Sequence, residues 1–183
     1  MRFMLSLLLL TLLPLSAHAA DEALTVGDNI PPSSLTLPDK NQQTQSFDSL
    51  TGERGLVLFF VRSADWCPHC KIQLLKLRKG KADPIINAGY NIATVSYDAP
   101  EKLLKFSKEY GFKFPMLSDG SSETIKAFGI LNKEKDPQKF DYGTPYPSAY
   151  IIGKDQQIQA VFSKKGYKKR PSISDIVRSF PKP

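Results

Sequence analysis

Cysteine is nearly absent from this 183-residue chain: there are two, Cys67 and Cys70, both in one four-residue stretch. Distant segments therefore cannot be cross-linked, which excludes the disulfide framework that staples many small extracellular domains. A bond between these two would close too short a loop to restrain the unfolded chain much, so its expected purpose is chemical. Histidine is as scarce, with only His18 and His69. Beyond the N-terminal leader, three Cys or His ligands remain in a single turn, against the four that a structural zinc takes, so no metal is expected. No other cofactor is indicated. After residue 15 there is no long apolar run, no internal repeat and no low-complexity tract.

What is present begins with the leader. Met1-Arg2, an apolar run from Phe3 to Leu15 and Ala17-His18-Ala19 have the three parts of a secretory signal peptide, with cleavage expected after Ala19. Pro14, Ser16 and His18 interrupt the run short of the roughly 20 apolar residues that cross a bilayer. No cysteine follows it to carry a lipid. The expectation is a periplasmic or secreted protein with no stable membrane insertion, residues 20–183 forming one domain. The formal charge is +7, with a basic cluster at Lys164, Lys165, Lys168, Lys169 and Arg170. Interleaved by Gly166, Tyr167 and Pro171, it reads as a solvated loop, not a nucleic-acid site.

The apolar run 56–61 has strand length and suits a strand buried on both faces. The two cysteines follow, then a helical pattern through Ile72, Leu74, Leu75 and Leu77, with Pro68 in its first turn and Pro84 as its expected end. A second strand over 91–97 leads into Asp98-Ala99-Pro100-Glu101, a helix start with Asp98 as cap. That helix carries Leu103, Phe106 and Tyr110 on one face and stops at Gly111. Further elements are a short strand near 114–117, a helix near 123–128, an irregular stretch 131–146, a hairpin of strands 149–152 and 158–162, and a terminal helix near 172–179. Strands alternating with helices predict an α/β fold with a mixed sheet.

Two thiols separated by Pro68-His69 suit thiol chemistry, which needs one thiolate to attack and a second thiol to resolve. A helix N-terminus would lower the pKa of Cys67 and leave it accessible, while Cys70, one turn on, would be more buried. His69 is expected to tune the couple by stabilising the Cys67 anion.

The run LVLFFVRSADWCPHCKIQLLKL, residues 56–77, resembles the strand and active-site helix of the thioredoxin superfamily, with Trp66 just ahead of the first Cys. The following stretch, ATVSYDAPEKLLKFSKEYGFKFPMLSDGSSETIKAFGI, resembles the helix-strand insertion of the AhpC/TSA (peroxiredoxin-like) and redoxin branch, shared by TlpA-type proteins. The resemblance implies a thioredoxin-like fold, a central mixed sheet flanked by helices with that insertion. It further implies a cis-proline at Pro147 packed beside the dithiol, with Tyr146 lending backbone to a substrate groove. The segment Leu131–Tyr146, just ahead, is a candidate specificity element.

Departures from the relatives bear on activity. Peroxiredoxins frame the reacting Cys with Pro-x-x-x-Thr/Ser-x-x-Cys, and aligned on Cys67 this chain has Phe60 and Ala64 there. Arg62 is the candidate for the peroxiredoxin arginine. The thioredoxin buried acid is replaced by Val61, and the TlpA-type acid after the second Cys by Gln73. Pro68-His69 matches the DsbA-type oxidant. On the missing frame, thiol-disulfide exchange with client proteins and a redox partner protein stands first. A peroxiredoxin-like antioxidant peroxidase, with Cys67 peroxidatic and Cys70 resolving, is the alternative. A Sco-type copper chaperone stands last, since the spacer is two residues and no His follows His69.

Overall fold

A computed structural model describes residues 22–163 and 170–180. The leader with its cleavage site, and Lys164, Lys165, Lys168 and Lys169, lie outside the described residues. In chain order the elements are β1 (Leu37–Pro38), β2 (Thr44–Gln45), α1 (Phe47–Leu50), β3 (Gly55–Phe60), α2 (Pro68–Lys76) and α3 (Asp83–Asn87). There follow β4 (Tyr90–Ser96), α4 (Pro100–Tyr110), β5 (Met116–Ser118), α5 (Glu123–Ala127), β6 (Ser148–Gly153), β7 (Ile158–Ser163) and α6 (Ile173–Ser179). Among the described residues no helix is long and apolar enough to cross a membrane.

The main sheet has the order β5-β4-β3-β6-β7. β3 lies at its centre, parallel to β4 from Gly55↔Tyr90 to Phe60↔Val95 and antiparallel to β6 from Gly55↔Gly153 to Phe60↔Ser148. Its unbroken apolar run follows from this position, because side chains alternate between two covered faces. Val57 and Phe59 pack with Leu74 of α2, Ile85 of α3, Leu103 and Phe106 of α4 and Ile176 of α6. Leu56, Leu58 and Phe60 pack with Phe47 of α1, Ile125 of α5, Phe128 and Tyr150. The expected mixed sheet flanked by helices is thus the observed fold.

Three local expectations need correction. Pro84 does not end the active-site helix: a π-helical turn, Leu77–Lys81, breaks it first, around Gly80 at φ +74°, and Pro84 sits in the first turn of α3. That place suits proline, whose missing N–H has no helical partner there anyway. Asp98 does not cap α4, whose N-cap is Ala99; its carboxylate turns inward and accepts the Ala64 N–H at 2.7 Å and the Ser96 hydroxyl at 3.0 Å. Pro147 is not cis, nor is any peptide bond among the described residues. The approach to β6 is fixed by pairing instead. Asn132 N–H donates to Thr144 O at 3.0 Å and Tyr146 N–H to Ile130 O at 2.7 Å, holding the chain extended through Pro147.

Candidate active site

β3 delivers the chain to the edge of the core, and the turn from 61 to 66 sets up the start of α2. Val61 N–H still donates to Val95 O at 2.9 Å, continuing the parallel ladder one residue past β3. The Ser63 hydroxyl oxygen accepts from the N–H groups of Asp65 at 2.9 Å and Trp66 at 3.1 Å, and the Asp98 carboxylate accepts from Ala64. Cys67 is then the N-cap of α2 in extended conformation, and its sulfur accepts the Cys70 N–H at 3.4 Å. A thiolate is an effective cap, because the first N–H groups of a helix have no backbone acceptor.

Cys67 is 2% exposed and Cys70 fully buried. The expected accessible attacking sulfur is therefore closed over, and the group that closes it is Arg170. Its Nη2 lies 3.3 Å from Cys67 Sγ and 3.2 Å from Cys70 Sγ. The Cys67 pKa falls to about 5, first through the hydrogen bond from the Cys70 thiol, then through the Cys70 N–H and the Arg170 charge, against the cost of burial. Cys70 moves well above the ordinary thiol range, because its proton is held by Cys67 and because it is buried. One anion shared across two sulfurs and a guanidinium places the charge on Cys67 and the proton on Cys70.

Trp66 links this pair to the 131–146 segment. Its Nε1 donates to the Tyr97 hydroxyl at 2.7 Å, which donates to Phe140 O at 3.0 Å, and the Trp66 and Phe140 rings meet edge-on at 5.3 Å. Arg62 stacks over the Trp66 ring at 4.7 Å and pairs with Asp141 at 3.1 Å, where Lys135 also binds at 2.6 Å. The segment thus borders the dithiol through Trp66, and Arg62 serves as its brace.

The remaining sequence candidates are placed as follows. Pro68 and His69 are exposed on the first turn of α2, and the cation set against the sulfurs is Arg170 instead of His69. Val61 and Gln73 are buried and bring no acid to Cys70; Phe60 is committed to the core. Tyr146 is half-buried and Pro147 buried at the entry to β6. Among the described residues no three His, Cys, Asp or Glu side chains cluster as metal ligands. Arg170 is the residue that sequence reading missed, since it lies in a run taken for a solvated loop. A signal was available: it immediately precedes Pro171 and an amphipathic helix, so its backbone is pinned where α6 docks by Ile173 and Ile176.

The turn depends on Asp98, which burial holds above the usual carboxylate range against the pull of the Ala64 N–H and the Ser63 and Ser96 hydroxyls. Replacing it by alanine leaves the Ala64 N–H buried without an acceptor. The expected cost is about 1–3 kcal/mol in urea unfolding, with peroxide or disulfide chemistry at Cys67 slowed in the same variant.

Comparison with known proteins identifies the family and the fold. The AhpC/TSA family model matches residues 26–161. A putative peroxiredoxin of Mycobacterium tuberculosis is 32% identical over 135 residues, 74% of this chain and 82% of that protein. Peroxiredoxin Bcp of Escherichia coli is 30% identical over 139 residues, 76% and 85%. Among solved structures, peroxidoxin BcpB of Mycobacterium tuberculosis superposes with a TM-score of 0.69 at 21% identity, covering 84% of this chain and 94% of that one. PrxQ of Xylella fastidiosa gives 0.69 at 19%, covering 86% and 95%. These findings overturn the order set by sequence, in which exchange with protein disulfides stood ahead of peroxide reduction: the relatives are peroxiredoxins, despite Phe60 and Ala64 in place of the frame. By family match, by identity over most of its length and by fold, the chain belongs to the AhpC/TSA family of peroxiredoxin-type oxidoreductases.

Proposed function

We propose that this protein is a peroxidase that reduces hydrogen peroxide or organic hydroperoxides through Cys67 and is reset by an external thiol, acting in the periplasm or outside the cell. The observation that carries the reading is the Cys67 sulfur held between the Cys70 N–H and the Arg170 guanidinium with a resolving thiol one helical turn away. The Cys67 thiolate attacks the terminal peroxide oxygen and the O–O bond breaks. The alcohol or water leaves with a proton, and Cys67 becomes a sulfenic acid. The Cys70 thiol then attacks the sulfenic sulfur, forming the Cys67–Cys70 disulfide and releasing water.

Two features support a peroxide as the oxidant. Cys67, a residue only 2% exposed, suits a molecule of a few atoms far better than a folded protein's disulfide. Arg170, beside Cys67 Sγ, is a donor within reach of the leaving oxygen, where negative charge develops. Export rests on the leader at residues 1–19. Peroxide consumption by the purified protein with dithiothreitol as reductant tests the activity. The reading expects turnover far above that of dithiothreitol alone, and a rate equal to that background contradicts it. Periplasmic recovery of a chain beginning at Ala20 tests the location.

A further inference from the structure

A groove of about 810 Å³ runs beside the dithiol, between α2 and the segment that carries Arg170 into α6. Its charged walls are all basic, Lys76, Lys81, Arg170 and Arg178, the last paired with Asp175 on its own helix; among the described residues no acid lines it. Ile72, Ile173 and Val177 supply an apolar floor, and Ile72 is 52% exposed although it neighbours the active-site turn. Gln73, which also lines the groove, is 5% exposed, and neither its amide nitrogen nor its amide oxygen has a hydrogen-bond partner. A buried amide with both polar atoms unpaired costs stability unless something pairs with it. A peptide unit offers the matching acceptor and donor. Gln73 follows Cys70 by three residues, so the two share a face of α2.

We propose that this groove binds a small anionic peptide thiol of the glutathione class and brings its sulfur to the Cys67–Cys70 disulfide as the resetting reductant. The carboxylates meet the basic walls and a peptide unit meets Gln73. The proposal rests on the peroxidase reading only in that the peroxidase cycle produces this disulfide. The peptide thiolate bonds to Cys67 Sγ, the less buried of the two sulfurs, and the Sγ–Sγ bond breaks as Cys70 leaves and takes a proton. A second peptide thiol attacks the peptide sulfur of the mixed disulfide, and Cys67 leaves as the thiolate facing Arg170. Two peptide thiols are thereby oxidised to one peptide disulfide, and the protein gains two electrons.

The test uses protein oxidised with diamide, so it does not depend on peroxide, and follows reduction by the fluorescence of Trp66, the chain's single tryptophan. Glutathione, its diethyl ester and dithiothreitol are compared at equal thiolate concentration. The glutathione rate is expected to saturate, and the ester, which lacks both carboxylates, to be about tenfold slower. The Lys76→Glu, Lys81→Glu double variant should lose about tenfold with glutathione and nothing with dithiothreitol. Gln73→Leu should raise the half-saturating glutathione concentration. A linear concentration dependence with equal glutathione and ester rates overturns the proposal, as does an equal loss with glutathione and dithiothreitol in the lysine variant. Slow oxidation of the reduced protein by peroxide would count against the peroxidase reading alone.

Discussion

Replacing Cys67 by serine abolishes reaction with peroxide, whereas replacing Cys70 by serine preserves the first reaction and stops the cycle after it. The asymmetry follows from the sharing of one proton between the sulfurs. Cys67 takes the anion, at a pKa of about 5, first because the Cys70 thiol donates to it, then because it receives the Cys70 N–H at the start of α2 and faces Arg170. Cys70 is pushed up and fully buried, so it cannot take over when Cys67 is lost. In Cys70→Ser the hydroxyl keeps a hydrogen-bond donor beside Cys67 but cannot form a disulfide. A sulfenic acid therefore accumulates at Cys67, one equivalent per chain, and is captured by dimedone and read by mass spectrometry. Absence of that adduct while wild-type protein consumes peroxide would assign the chemistry elsewhere.

Arg170→Met is the second large effect. The guanidinium contributes a full positive charge at 3.3 Å from Cys67 Sγ. Removing it should move the Cys67 midpoint upward by roughly one to two pH units and slow peroxide reaction at pH 7 on the order of tenfold to a hundredfold. The larger part is loss of a donor to the developing oxyanion, since much of Cys67 stays ionised at that pH. Arg170→Lys keeps the charge but loses the planar fork that reaches both sulfurs, so it should restore the midpoint more than the rate. The same shift governs stability. Because the folded Cys67 pKa is depressed, its contribution is complete above the unfolded thiol value of about 8.5. It is lost as pH falls through about 5. The reduced wild-type protein should gain stability across that window in urea unfolding, and Arg170→Met should gain less.

What could be read from the sequence was whatever depends on neighbours along the chain. The buried strand β3, the dithiol at the start of α2 and the end of α4 at Gly111, where φ is +62°, each follow from local pattern. What could not be read depends on contacts across the fold. Arg170 reaches the sulfurs from about 100 residues away, and a basic run does not by composition show which of its members faces a buried site; only the position of Arg170 next to Pro171 and α6 hints at it. Asp98 looked like a helix cap because capping residues are recognised by type and spacing. Its side chain instead finds the Ala64 N–H, 34 residues back, a stronger demand in a buried turn. Pro147 was expected to be cis from a family pattern, but the pairing of 130–132 with 144–146 decides its geometry. The order of the two activities was misjudged for a related reason. The frame was sought as residue types at fixed spacing, whereas donors to Cys67 are supplied here by Arg170, just ahead of α6, and by the backbone of α2.

The most direct test of the account is single-turnover oxidation of the reduced protein by hydrogen peroxide, followed by Trp66 fluorescence from pH 4 to 9 in stopped flow. The account predicts a second-order rate orders of magnitude above that of free cysteine, rising through a midpoint near pH 5 and flat above it, with the midpoint displaced upward in Arg170→Met. A rate no faster than that of a free thiolate, or a midpoint near the ordinary thiol value of about 8.5 in the wild-type protein, would contradict it.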